Sequence, residues 1–181
     1  MTEFIMTSLP SISRLHSIFS AIVFALTLSS CNQSDDPANN STINQASSTA
    51  ILLDVYKSES CGCCGLWVEH MENNNFSATI HHPQDLNAVK LEYGIDPQWQ
   101  SCHTAVSKNG FVFEGHIPAK YVQQFLDNPP ENAIGLAVAG MPLGSPGMEV
   151  GDRFTPYDIQ LLKADGSTLT YAKIDNLADQ F

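Results

Sequence analysis

Basic residues are scarce in this chain and stand far apart. Of its 181 residues, 8 are Lys or Arg and 19 are Asp or Glu, which gives a formal net charge of −11. A protein that follows a phosphate backbone needs a stripe of positive charge, and the scattered basic residues provide none. The composition therefore excludes nucleic-acid binding. Hydrophobic residues make up 43% of the chain, an ordinary share for a globular domain.

The apolar run at the start of the chain is too short to cross a membrane. It occupies residues 17–29, which is 13 residues, whereas a bilayer-spanning helix needs about 20. The run follows Arg14, as in a signal peptide, and its end overlaps Leu28-Ser-Ser-Cys31, which resembles a bacterial lipobox. We therefore expect residues 1–30 to be a lipoprotein signal peptide and Cys31 to carry lipid. The alternative is a simple secretory peptide with an incidental thiol.

The next segment has no aromatic residue. Residues 32–49 contain a single large aliphatic side chain, Ile43, and cannot bury enough apolar surface to offset the entropy of ordering. We expect residues 31–49 to be a lipidated cysteine and a disordered tether. The folded domain should then be residues 50–181, held on the periplasmic side of a bacterial membrane. About 130 residues can build a core without disulfide bonds.

The folded part lacks the dispersed cysteines of a disulfide-stapled protein. Three of its four cysteines, Cys61, Cys63 and Cys64, lie within four consecutive residues, and the fourth is Cys102. Such a cluster in an exported protein indicates metal or redox chemistry. Cys61 and Cys64 have the C-x-x-C spacing of a redox-active dithiol, so they are the candidate catalytic residues.

The hydrophobic pattern predicts an α/β fold in the order β-α-β-α-β-β-α, followed by a Gly/Pro-rich stretch at 135–151 and a final hairpin. The predicted strands are 50–56, 76–81, 104–107, 111–114, 157–162 and 168–174, and the predicted helices are 66–72, 85–93 and 119–126. The cysteine motif joins the first strand to the first helix. This order resembles a thioredoxin-like domain with an added C-terminal β-hairpin. The partial positive charge of a helix N-terminus favours thiolates.

A predicted hairpin brings two histidines together. Asn109-Gly110 is typical of a two-residue turn, and counting outward from it places His103 opposite His116. Facing residues have Cβ atoms about 4.5–5.5 Å apart, close enough for both imidazoles to reach one ion, and a slip of one residue would break the pair. In thioredoxin-like topology, Cys102 lies in a loop beside the first cysteine motif. The alternative is that both histidines are ordinary hydrogen-bonded residues. The candidate metal ligands are Cys61, Cys63, Cys64, Cys102, His103 and His116.

This ligand set favours reduced copper. Thiolates and imidazoles select Cu(I) or Zn(II) over hard cations. Thioredoxin-type motifs do not normally hold a third thiol such as Cys63. Cysteines adjacent in sequence cannot all chelate one ion without strain, but each thiolate can bridge two Cu(I) ions, which predicts more than one ion per chain. A structural zinc site is the alternative. Met141 and Met148 carry thioethers that suit Cu(I), with core packing as their alternative role.

Several segments together resemble the CopG-type copper-resistance domain, long described as a metal-binding domain of unknown function. The matching segments are Tyr56-Lys57, Cys61–His70, Ser101–Ala105, Glu114–His116, Pro118, Gly135–Val138 and Gly140–Met148. The resemblance covers about residues 51–174. It implies a thioredoxin-like periplasmic protein of copper or silver resistance that binds Cu(I) through bridging cysteines and has a redox role. The lipobox and tether depart from the family pattern, because members are often secreted without an anchor.

Two classes of function remain. The first is a copper-binding protein that sequesters Cu(I) or passes it to copper efflux or other copper-resistance proteins. The extra thiol of Cys63 and the histidine pair favour this class. The second is a thiol–disulfide oxidoreductase without a storage role, an enzyme that acts through Cys61 and Cys64. The fold and the helix dipole favour the second class, and the two roles are compatible.

Overall fold

The computed structural model describes residues 50–181, which contain seven strands and three α-helices. The strands are β1 (Ile51–Lys57), β2 (Phe76–His81), β3 (His103–Ser107), β4 (Val112–Glu114), β5 (Ala133–Ala137), β6 (Tyr157–Lys163) and β7 (Thr168–Ile174). The helices are α1 (Gly62–Glu72), α2 (Leu86–Glu92) and α3 (Ala119–Asp127), and 3-10 turns lie at Pro97–Trp99 and Leu177–Gln180. The predicted order of the first seven elements is the observed order.

All seven strands form a single sheet in the order β2-β1-β3-β4-β5-β6-β7. β1 is parallel to β2, β4 is parallel to β5, and the other neighbouring pairs are antiparallel. The predicted α/β class is confirmed, and so is the hairpin at the C-terminal end, which β6 and β7 form. The more specific likeness to thioredoxin stays a prediction.

The sheet buries side chains on both faces. Alternate residues of β3 and β4 belong to different hydrophobic clusters: Ala105 and Phe113 pack with Trp67 of α1 and Phe125 of α3. Their neighbours Val106 and Val112 pack on the opposite face with Ile95, Ala137 and Leu162. The indole of Trp67 is fully buried and donates a hydrogen bond of 2.8 Å to the carbonyl oxygen of Ile117. This contact ties α1, which carries the cysteine motif at its N-terminus, to the segment before α3.

β5 is a strand that the sequence pattern misses. It begins just before the predicted Gly/Pro-rich stretch at 135–151 and runs into it. Gly135 in the middle of β5 lies against β4 so closely that a Cβ atom there would collide with the backbone of Val112. Glycine in a strand weakens the sequence signal for that strand and marks the close approach of another backbone.

The predicted register of the β3–β4 hairpin is wrong by one residue. Counting outward from a two-residue turn places Val106 opposite Phe113, but Val106 faces Val112. The N–H of Ser107 donates to the carbonyl oxygen of Phe111, which leaves three residues in the loop instead of two. A two-residue type I′ turn requires positive φ at both central residues. Gly110 has a positive φ of 82°, but Asn109 does not have a positive φ.

The predicted signal peptide (1–30) and the predicted lipidated cysteine and tether (31–49) lie outside the described residues. Within residues 50–181, none of the helices has the length and apolar character needed to span a bilayer.

Candidate metal centre

The cysteine motif forms the N-terminal turn of α1. Cys61 is the N-cap residue, with extended backbone angles (φ −77°, ψ 94°), and its side chain makes no capping hydrogen bond. Cys63 and Cys64 lie in the first turn, where backbone N–H groups have no partner within the helix. The partial positive charge at this end of a helix stabilises thiolates. The motif therefore sits at the strand-to-helix junction that the sequence predicts.

Cys61 and Cys64 are joined by a disulfide bond, with Cα atoms 5.4 Å apart. Cys63 and Cys102 are free thiols and are both partly exposed. The two cysteines with redox spacing are thus the pair that the structure connects. Their catalytic role stays a prediction.

The four cysteines converge on one small volume. The Sγ atoms of Cys61, Cys63, Cys64 and Cys102 all lie within 4.8 Å of one another. The Sγ atoms of Cys61 and Cys63 are 3.6 Å apart, and the Sγ of Cys64 lies 3.7 Å from the carbonyl oxygen of Cys102. Three ligands come from one helical turn and the fourth comes from the loop that precedes β3.

A second group of ligands shares Cys102 with the first. The Sγ of Cys102 is 3.0 Å from Nε2 of His116 and 3.3 Å from Nδ1 of His103. The two imidazole centroids are 5.1 Å apart. All six candidate ligands therefore fall into two overlapping groups that meet at Cys102.

The histidines meet although the strand register differs from the predicted one. Thr104 pairs with Glu114, and His116 lies beyond the last residue of β4. Gly115 has a positive φ of 77°, and a Cβ atom there would come within 2.8 Å of the Ser101 side chain. This turn of the backbone directs His116 toward His103. The expectation that a one-residue slip would separate the pair is wrong, because the contact does not depend on the strand ladder.

A distant loop fixes the orientation of His116. Its Nδ1 lies 2.7 Å from the carbonyl oxygen of Pro146. A carbonyl only accepts hydrogen bonds, so Nδ1 carries the proton and Nε2 presents its lone pair to Cys102. Pro146 belongs to residues 140–148, which we call the Met loop. Gln180 also holds the Met loop, because its side chain donates a 2.9 Å hydrogen bond to the carbonyl oxygen of Gly144.

The Met loop also lies directly on the first turn of α1. A Cβ atom at Gly147 would lie 2.6 Å from the carbonyl oxygen of Cys63 and 2.7 Å from the backbone nitrogen of Trp67. Met141, in the same loop, is 51% exposed, which is incompatible with the core-packing alternative for that residue. Binding of copper by its thioether stays a prediction.

Burial sets the protonation of this site. Burial raises the pKa of the Cys102 thiol to about 11, and the neighbouring Cys63 adds to the increase. Burial lowers the pKa of His116. It holds the pKa of His103 well below the ordinary value, and the nearby His116 and Lys90 act in the same direction. The imidazoles are therefore neutral and free to donate lone pairs, whereas a metal must displace the proton of Cys102 to bind it.

His103 has an unsatisfied polar atom. It is completely buried and packs on Trp67, with ring centroids 4.3 Å apart. Its Nε2 is one of the buried side-chain nitrogens in residues 50–181 without a hydrogen-bond partner. An orphaned ring nitrogen is costly in a finished core. The other ring nitrogen, Nδ1, lies 3.3 Å from the Sγ of Cys102. His103 therefore meets the cysteine site through Nδ1.

Sequence reasoning missed a buried ion pair behind Cys102. Lys90 of α2 and Glu114 of β4 are 1% and 0% exposed, and Nζ lies 2.5 Å from the carboxylate. The same carboxylate accepts hydrogen bonds from the backbone N–H of Ser101 and from the hydroxyl of Thr104. These two residues flank Cys102 and His103. A lysine on a short helix normally indicates an exposed face, so the pattern gave no signal for this contact.

The fold and the site together define a metal-binding thiol protein, a mixed α/β domain with four cysteines and two histidines gathered at one helix N-terminus. Comparison with known proteins identifies the family. Residues 99–148, which include Cys102, both histidines and the Met loop, match a family described as "Protein of unknown function, DUF411". A search of curated proteins found no match.

Two solved structures resemble this one over almost their whole length. Both are described as the copper resistance protein CopG, in forms 2 and 1, and each is 38% identical to this chain. Each match covers 69% of this chain and 98% of the solved one, with TM-scores of 0.66 and 0.65. The chain therefore belongs to the CopG family of copper resistance proteins. With the cysteine cluster, this membership gives it a copper-related role.

Proposed function

We propose that this protein holds Cu(I) on its clustered cysteines and thereby contributes to copper resistance. The observation that carries this proposal is the convergence of four Sγ atoms within 4.8 Å, with Cys102 shared by two neutral imidazoles. Soft thiolates select Cu(I). Because three of the thiols come from one helical turn, bridging between ions satisfies them better than a single tetrahedral ion. The cluster thus favours more than one Cu(I) per chain.

Anaerobic titration of the reduced protein with Cu(I), against a competing Cu(I) chelator, is expected to saturate above one equivalent. Cys63→Ser and Cys102→Ser should each lower the number of ions bound, because each removes a bridging thiolate. Ser60→Ala is the matched control, since Ser60 is exposed beside Cys61 and contacts Ser58. Saturation at one equivalent would contradict the cluster, and tighter retention of Zn(II) than of Cu(I) would favour the structural zinc alternative.

We further propose that Cys61 and Cys64 give the site redox activity. The disulfide between them supports this part of the proposal. In the reducing direction, two thiols lose two protons and two electrons and form one S–S bond, while two Cu(II) ions each gain one electron and become Cu(I). A thiol–disulfide oxidoreductase without a storage role would form and break the same bond but retain no copper in the titration.

We also propose that the protein is exported and anchored through lipid on Cys31, facing the periplasm, where it meets other copper-resistance proteins. The lipobox-like Leu28-Ser-Ser-Cys31 supports this location. Stable anchoring needs more than one acyl chain, which lipoprotein modification supplies. Fractionation should recover the wild-type chain with membranes and the Cys31→Ala variant in the soluble periplasm. Equal recovery of both from the soluble fraction would refute the anchor.

A further inference from the structure

Two thiols remain once Cys61 and Cys64 are joined. Cys63 and Cys102 are both free and partly exposed, and their Sγ atoms are at most 4.8 Å apart. They belong to different elements, the first turn of α1 and the loop before β3. A disulfide has an S–S distance of about 2.05 Å, so the two sulfurs would have to approach by less than about 3 Å. Side-chain rotation can supply a movement of that size.

The positions of the other two cysteines make this pairing specific. Cys64 is fully buried, and its sulfur lies against the carbonyl oxygen of Cys102 rather than against the thiol. Cys61 is already bonded to Cys64. The partner left for Cys102 within the cluster is therefore Cys63.

We propose that Cys63 and Cys102 form a second dithiol–disulfide pair, so that the reduced protein stores four electrons rather than two. The proposal rests on the proposed copper function, because Cu(II) is the oxidant. Two S–H bonds break and one S–S bond forms, while two Cu(II) ions each gain one electron and become Cu(I). Both protons go to water, because the thiols of Cys63 and Cys102 are both partly exposed.

The second disulfide links oxidation to copper release. When only Cys61 and Cys64 are oxidised, the thiol of Cys63 and the two imidazoles still lie within 4.8 Å of the Sγ of Cys102. When Cys63 and Cys102 are oxidised as well, no thiolate remains in the cluster, and Cu(I) loses every sulfur ligand there. Copper capacity therefore falls in two stages as the protein is oxidised.

An electron count tests the proposal. The 181-residue chain carrying Cys31→Ser, in which the four cluster cysteines are the only thiols, is reduced, freed of reductant without oxygen and mixed with excess Cu(II) and a chromogenic Cu(I) chelator. We expect four Cu(I) per chain, two for each pair of cysteines. Added Cys63→Ser or Cys102→Ser should lower the count to two, and added Ser60→Ala should leave it at four.

Disulfide mapping identifies the bond. Trypsin cleaves after Lys57, Lys90 and Lys108, which separates the peptide with Cys61, Cys63 and Cys64 from the peptide with Cys102. Full oxidation should link these two peptides, and Cys63→Ser should abolish the link.

The outcomes separate this proposal from the function on which it rests. A count of two with Cys63 and Cys102 still alkylatable would overturn the second pair and leave the first intact. A link that survives Cys63→Ser would also overturn it, because Cys102 would then be bonded to Cys61 or Cys64. A count of zero would remove the redox part of the proposed function and the second pair with it.

Discussion

Replacing Glu114 with Gln is expected to lower the free energy of unfolding by about 3–5 kcal/mol, because breaking a buried ion pair leaves the other charge without a partner. The side chain of Lys90 is 1% exposed, and its ammonium would face only neutral acceptors, the amide oxygen of the new Gln and the hydroxyl of Thr104 at 3.0 Å. Burial raises the pKa of Glu114, and Lys90 acts in the opposite direction to keep the carboxylate charged. Urea denaturation of the reduced, metal-free protein measures the loss.

The same change should also disturb the metal centre. Glu114 accepts the N–H of Ser101, and a neutral amide oxygen accepts more weakly than a carboxylate, so the replacement loosens the loop that carries Cys102. We expect weaker Cu(I) binding even under conditions where the variant is fully folded. Asp127→Asn is the control, because Asp127 makes an exposed contact with Gln123 within α3.

A double replacement separates the effect of the buried charges on stability from the effect of Glu114 on copper binding. Lys90→Met with Glu114→Leu removes both charges together and should recover much of the stability, since apolar side chains of similar volume often replace a buried ion pair at little cost. It should not recover copper affinity, because leucine offers the N–H of Ser101 no acceptor at all. Recovery of both properties would contradict a role for Glu114 in positioning Cys102.

Replacing Gly147 with Ala is expected to weaken Cu(I) binding 10- to 100-fold, the usual cost of losing a group that orients a metal-bound histidine. A Cβ atom at this position would lie 2.6 Å from the carbonyl oxygen of Cys63, so the Met loop must move away from α1. Pro146, the next residue, would then lose its hydrogen bond with Nδ1 of His116. Chelator competition under reducing conditions measures the change.

Backbone strain alone would not have this effect. Gly147 has a positive φ of 84°, and Gly151 has a positive φ of 57°, so alanine is strained at both positions by about 1–2 kcal/mol. A Cβ atom at Gly151 meets no other atom within 4 Å. Gly151→Ala should therefore lower stability slightly and leave copper affinity unchanged. Equal affinity losses in the two variants would show that contact between the Met loop and α1 is unimportant.

Local patterns were sufficient for the parts of the site that one segment forms. The position of the cysteine motif where β1 leads into α1 follows from an apolar strand, a glycine-containing turn and a helix in direct succession, although α1 begins at Gly62 rather than at the predicted residue 66. The C-terminal hairpin was predictable for the same reason, because residues 157–162 and 168–174 alternate around a short turn. Such signals reside in neighbouring residues, and the tertiary structure had only to preserve them.

The hairpin between β3 and β4 shows where local signals fail. Asn-Gly favours a two-residue turn, yet the loop has three residues, and the side chain of Ser107 accepts a hydrogen bond from the N–H of Phe111. The hydrophobic pattern sets register along with the turn, and in the observed register Val106 and Val112 pack on one face while Ala105 and Phe113 pack on the other.

The sequence alone determined which residues are the candidate ligands, because thiols and imidazoles are identifiable without coordinates. The tertiary structure decided how they are held. His116 depends on Pro146, 30 residues further along the chain, and the Cys102 loop depends on Lys90 and Glu114, which are 24 residues apart. β5 brings the chain back beside β4 through a glycine that weakens its own strand signal. These arrangements arise from contacts between distant segments, which no local pattern of residues encodes.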